Sequence, residues 1–149
     1  MNRERLMAQL REDEGESREV YRDSFGNLTV GVGHLVTKYD TLCSGDSIST
    51  DRMEAFFFWD LNQAINSSKR VFANFDNLPE AAQEVIVNMM FNLGAPRFNR
   101  FRKFISAVKS RNWQVAANEM EQSLWWHQVG DRAKRLQRRI LECLSSESS

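Results

Sequence analysis

Val20-Tyr21-Arg22-Asp23-Ser24-Phe25-Gly26-Asn27-Leu28-Thr29-Val30-Gly31-Val32-Gly33-His34-Leu35, residues 20–35, is the stretch on which the fold turns. Residues 20–23 read as a short strand and 24–27 as a turn. Residues 28–35 read as a second strand, in which Thr29, Gly31 and Gly33 alternate with Val30 and Val32. Glycines at every second position strip one strand face of side chains, which suggests that something approaches the backbone closely there. On both sides of this stretch the period becomes helical. Upstream, Asn2 serves as N-cap of a helix to about Glu14, with Leu6 and Leu10 on one face and Gly15 suited to a left-handed stop. Downstream, residues 38–48 form a loop with room for a third short strand. A long helix then starts at Ser49 or Thr50 and runs to Lys69 or Arg70, with Met53, Phe56, Phe57, Leu61, Ala64 and Ile65 as its apolar stripe.

Everything after Pro79 reads as helix: Glu80 to Leu93, stopped by Gly94 and Pro96, then about 98–109, 112–122 and 131–144. Asn112 and Asp131 are the candidate N-caps of the last two. The tail 145–149, Ser-Ser-Glu-Ser-Ser, reads as disordered. The fold class is α+β, mostly α, in a single domain: a small lobe over about 15–48, a connecting helix over about 49–70, and a larger helical lobe over about 71–144 that includes the N-terminal helix.

The 149 residues suffice to bury a core without a disulfide or metal. Lys plus Arg equals Asp plus Glu, which argues against a mainly electrostatic polyanion binder but leaves room for a local basic face. Cys43 and Cys143 form no CxxC pair, so free thiols are the default and one long-range disulfide the alternative. No span is long and apolar enough to cross a bilayer, and the first residues carry no apolar signal core. Synthesis in the cytoplasm follows as the expectation.

Two carboxylates flank the first helix–strand junction, Glu14 at the helix end and Asp23 at the hairpin corner. Glycoside hydrolysis requires such a pair in unlike environments, one protonated and one ionised. A helix C-terminus carries partial negative charge, which disfavours a nearby carboxylate anion and suits Glu14 to the acid role. Asp23, in a polar turn beside Ser24 and Thr29, is expected to stay ionised. Spacing alone favours a solvated acidic face, because Glu12, Asp13 and Glu16 crowd the same segment.

The ordered run Asp13-Glu14-Gly15, Tyr21-Arg22-Asp23, Gly26 and Leu28–Leu35 decides between these readings. It closely resembles the lysozymes of T-even phages and related endolysins, glycoside hydrolase family 24. The likeness continues through Asn88–Gly94, Trp113–Ala117, Trp125 and Asp131–Arg135, with a shorter segment between Thr37 and Ser49. The resemblance implies a lysozyme-like fold and a muramidase that hydrolyses the β-1,4 bond between N-acetylmuramic acid and N-acetylglucosamine. It implies inversion, with carboxylates about 6.5–9.5 Å apart to admit a water. It also implies Glu14 as general acid, Asp23 as the carboxylate that activates water, Thr29 as the hydroxyl that helps hold that water, and Arg132 as catalytic support. Leu35 and Phe91 match sugar-lining residues, and His34 with Asp60 a structural ion pair. No metal or cofactor is implied. The implied partner is the peptidoglycan glycan strand, with no nucleic acid and no membrane insertion, the protein acting as a monomer in the periplasm after release through a holin pore. The chain departs from the T-even pattern at Phe101 and Glu119, where sugar-contacting serine and asparagine are expected, and at Asn92, where glutamine is. Its neutral charge also implies weaker electrostatic steering toward anionic walls than the basic T-even enzyme has.

Rival readings follow from the same residues. Arg132, Lys134, Arg135, Arg138 and Arg139, opposite Leu136, Ile140, Cys143 and Leu144, make a basic amphipathic helix able to bind nucleic acid or an anionic surface. A lytic transglycosylase needs one glutamate and no water-holding pair. A wall-binding protein needs neither. His127 beside Trp125 and Trp126 reads as surface or interlobe packing, and part of Phe56–Trp59 with Met89 and Met90 reads as core.

Overall fold

The computed structural model describes residues 1–147. It divides into two compact units, Arg3–Gln63 and a second comprising Met1–Asn2 with the chain from Ala64 onward.

The first unit holds α1 (Arg3–Glu14), β1 (Ser17–Arg22), β2 (Leu28–Gly31), β3 (His34–Leu35) and the first part of α2 (Thr50–Val71). The strands form an antiparallel sheet in the order β1-β2-β3, with Tyr21 opposite Thr29 and Thr29 opposite Leu35. The single strand expected over residues 28–35 is instead a tight hairpin. Gly31 and Gly33 have φ of 67° and 66°, a left-handed backbone that suits glycine, and the chain reverses around Val32. No third strand forms in the 38–48 loop beyond a bridge between Glu19 and Ser47, but Val20 and Ile48 still lace the loop to β1 through backbone hydrogen bonds. Beneath the sheet Val20, Val30, Ile48 and Met53 form a small core, with Leu28, Val36, Leu42 and Phe56 packed against it.

Helix α1 groups with the sheet, whereas the sequence pattern assigned it to the helical lobe. Polar ties to α2 explain the grouping: Arg3 donates to Asn62, and Arg11 makes a two-pronged contact with Glu54 at 2.9 and 2.7 Å. Ser49 caps α2 by accepting from the Arg52 amide.

From Ala64 onward the second unit is helical. After a 3-10 turn at Phe75–Asn77 it contains α3 (Glu80–Leu93), α4 (Ala95–Phe98), α5 (Arg102–Lys109), α6 (Trp113–Glu121), α7 (Leu124–Val129) and α8 (Asp131–Glu147). Phe72, Phe98 and Phe104 meet edge-to-face in a chain of aromatic contacts, and Met89, Trp113, Met120 and Ile140 are fully buried. Asn112 caps α6 as expected. Four details differ from the expectation. The helix expected over about 98–109 is interrupted, with α4 ending at Phe98 and α5 starting at Arg102. Helix α7, capped by Ser123, was not foreseen. Asp131 lies inside the first turn of α8, after Gly130, which closes α7 at φ 58°. Residues 145–147, expected to be disordered, continue α8; 148 and 149 lie outside the described residues. Cys43 and Cys143 are free thiols, the first exposed and the second buried.

Candidate active site

Glu14 occupies the last turn of α1, and the stop that places it there is Gly15, at φ 75°, whose amide donates to the Arg11 carbonyl at 2.9 Å. Arg11 fixes this turn from the side-chain direction. Besides Glu54 it reaches Glu16 at 2.6 Å, and its guanidinium lies 4.8 Å from the centre of the Phe57 ring. The hydrogen bond to Glu54 leads in raising the Arg11 pKa and lowering that of Glu54. Sequence reasoning missed this clamp; its only local signal was a cation in the last helical turn, where the helix dipole favours one.

The hairpin supplies the surface against which Glu14 rests. A Cβ built on Gly33 would lie 2.9 Å from Glu14 Oε1 and 3.2 Å from its Cβ, so the Glu14 side chain lies on the bare Gly33 backbone. Gly31 takes up Met53 in the same way, its virtual Cβ 3.2 Å from the Met53 side chain. The alternating glycines therefore do admit a close approach, but what approaches at both positions is the chain's own side chain.

Asp23 closes the β1–β2 turn. Its Oδ1 accepts from the amides of Phe25 and Asn27, each at 2.9 Å. The Asn27 amide leads in holding the carboxyl below its ordinary range; desolvation opposes it, and the Phe25 amide adds to the lowering. Thr29 is buried, and its hydroxyl donates to the Asn27 carbonyl at 3.1 Å, leaving lone pairs able to accept. Tyr21 stands opposite Thr29, two residues before Asp23. Burial, then Glu14, then Asp23 push its phenol pKa up, so one hydroxyl feels both carboxylates. The sequence pattern alone assigned Tyr21 no role, although its alternation with Asp23 was legible.

His34 is held at both ring nitrogens, Nδ1 at 2.8 Å from Asp60 and Nε2 at 2.9 Å from Asp40, and it stacks on Phe56 at 4.0 Å. Asp40, which the sequence did not single out, also accepts from the Thr37 amide. Leu35 is exposed at the sheet edge. Glu14, Asp23, Thr29, Leu35 and the His34–Asp60 pair thus all belong to the Arg3–Gln63 unit, while Phe91 and Arg132 belong to the helical one. There Arg132 is buried and donates to Asn88 Oδ1 at 2.9 Å, and Phe91 is half-buried. Asn92 accepts from the Trp125 indole at 2.8 Å, and Phe101 meets Trp125 edge-on. Among the described residues no cluster of three or more His, Cys, Asp or Glu could hold a metal ion, and no helix is long and apolar enough to span a membrane.

The sequence pattern of the phage lysozyme family matches residues 11–142, which include every residue of this site. The chain belongs to the phage lysozyme family. It is 31% identical over 153 aligned residues to "Probable T4-type lysozyme 2" of Dictyostelium discoideum, covering 88% of this chain and 90% of that one. It is 29% identical to the "Endolysin" of Salmonella phage P22, covering 83% and 82% of the two chains. It is 25% identical to "Peptidoglycan hydrolase gp36" of Pseudomonas phage phiKMV, covering 82% of this chain and 13% of that protein. As a phage lysozyme the chain is a glycoside hydrolase.

Proposed function

We propose that this lysozyme cleaves bacterial peptidoglycan at the β-1,4 bond between N-acetylmuramic acid and N-acetylglucosamine, by direct displacement with inversion. Glu14 gives its proton to the departing glycosidic oxygen. Asp23 takes a proton from a water that attacks the anomeric carbon from the opposite face, and Thr29 accepts a hydrogen bond from that water. The C–O bond breaks as the new one forms, Asp23 then releases the water's proton to solvent, and solvent returns a proton to Glu14. Arg132 is a further residue on which the reaction depends, and Leu35 and Phe91 are sugar contacts.

The observation that supports this reading best is geometric: Glu14 lies on the Gly33 backbone of the same sheet whose β1–β2 turn holds Asp23. Asp23 is held by the amides of its own turn, which lower its pKa, and Glu14 rests against the Gly33 backbone at the end of α1. The bacteriolytic role belongs to the same proposal. Purified peptidoglycan digested with the protein is expected to yield muropeptides with hydrated reducing ends by mass spectrometry. A 1,6-anhydro end on every fragment would instead make the protein a lytic transglycosylase.

A further inference from the structure

Between Glu84 and Glu119 the chain has no acidic residue, yet it carries Arg97, Arg100, Arg102, Lys103, Lys109 and Arg111. The chain as a whole balances to zero charge, so this is a local excess of cations. All but Arg111 are exposed, and none of those five has a carboxylate partner among the described residues. The basic run on α8, singled out from the sequence, is different: Arg132 is buried against Asn88, and Arg139 pairs with Glu84 and Glu142.

Helix α4 and the turn after it sort their residues by helical spacing. Ala95 and Asn99 line one recess of about 440 Å³, together with Arg70 and Lys109. Arg97 and Arg100 line another of about 390 Å³, together with Phe101 and Leu124. Each recess thus presents a pair of cations, and the second also has an exposed apolar side chain at its rim, since Leu124 is 73% exposed. Single-stranded nucleic acid would need aromatic faces for base stacking. Phe98 and Phe104 are buried, and Phe101 meets Trp125 edge-on in the second recess, so the face offers no row of aromatic faces for successive bases. Cations around a protruding apolar residue suit the boundary between lipid headgroups and acyl chains.

We propose that the α4–α5 face docks on an anionic phospholipid surface, with Arg97, Arg100 and Lys109 taking headgroup phosphates at the two recesses and Leu124 entering the interface. The full chain is tested by sedimentation with vesicles of phosphatidylglycerol and phosphatidylcholine in equal parts, against vesicles of phosphatidylcholine alone. A cation near an anionic surface contributes about fivefold to partitioning. The double change Arg97→Gln/Arg100→Gln is therefore expected to weaken binding about 25-fold, and high salt to release the parent. Arg70→Gln/Lys109→Gln, at the first recess, gives a second reading of the same size if the first variant does not fold. Leu124→Ser lowers affinity several-fold at any salt. Changing Lys134 and Arg138 on α8 leaves binding as it was. Equal binding to the neutral vesicles overturns the proposal. So does parental affinity in the folded arginine variant, and so does salt-sensitive binding to duplex DNA with none to vesicles.

Discussion

Around Glu14 the Arg3–Gln63 unit is fixed by ionised side chains. Arg11 clamps Glu54 and Glu16, His34 bridges Asp40 and Asp60, and Asp23 ties its own turn. Its apolar cluster is small, centred on four residues of the sheet and its neighbours. The unit from Ala64 onward also has ion pairs, such as Arg139 with Glu84 and Glu142, but its centre is packing, with Phe72, Phe98, Phe104 and Trp113 buried. Charged hydrogen bonds set directions to within tenths of an ångström, as a reacting carboxylate needs, but exposed or half-exposed pairs add little stability. Burying a large side chain adds about 1.5–3 kcal/mol without aiming any polar atom. Positioning of the acid and stability of the fold are therefore largely separate properties of this chain, and mutation should separate them.

Glu14→Gln should split the two most widely. It keeps size and hydrogen bonding but has no proton to donate at the reacting oxygen, so turnover on peptidoglycan falls by about 10²–10⁴-fold. The thermal unfolding midpoint is expected to stay where it is; a parallel loss of both would erase the contrast between the units. Phe104→Ala is the converse. Emptying a fully buried aromatic site costs about 3–5 kcal/mol by urea unfolding. Activity of the folded fraction, measured well below the melting range, is expected to remain near the parent's.

Gly33→Ala tests the point where the two properties meet. The new Cβ lands 2.9 Å from Glu14 Oε1 on a backbone at φ 66°. Expected are about 1–3 kcal/mol of destabilisation and a drop in turnover larger than that destabilisation explains. Unchanged kinetics would mean that the bare backbone does not position Glu14.

How far the chain could be read without coordinates follows the same division. Local signals carried α1, its Gly15 stop, the Ser49 cap and the stripe of α2, because each depends on residues within a few positions of one another. Leu28–Leu35 misled because alternating valine and glycine satisfies both a strand period and a hairpin turn; only the positive φ of Gly31 and Gly33 separates them. Helix α7 escaped because six residues are too few to show a period. The candidate site itself was legible as a motif, with Glu14 and Asp23 nine residues apart. What holds it was not. Arg11 meets Glu54 across 43 positions, and Asp40 meets His34 from a loop with no pattern of its own.

A weaker effect concerns pH. Burial pulls the His34 imidazole down, but hydrogen bonds to Asp60 and then Asp40 outweigh it, and its pKa rises above the ordinary 6.5. A raised folded-state value stabilises fully below the unfolded one and is lost as pH climbs through the folded one. For Asp40 burial works upward, but the Thr37 amide and His34 prevail and lower it from 3.8. Its contribution is present above the unfolded value and lost as pH falls through the lowered one. The cluster therefore stabilises most between these limits. Melting curves of the parent should decline as pH rises past neutrality, and His34→Gln should flatten that slope. An unaltered slope in the variant would detach His34 from it.

The stereochemistry of the reaction can be read by proton NMR of the first products released from a soluble peptidoglycan oligosaccharide, before mutarotation mixes the anomers. Water delivered by Asp23 to the face opposite Glu14 gives the α-anomer at the new reducing end. Initial release of the β-anomer would mean that the bond is replaced with retention, and that Asp23 and Thr29 do not direct a water in a single displacement.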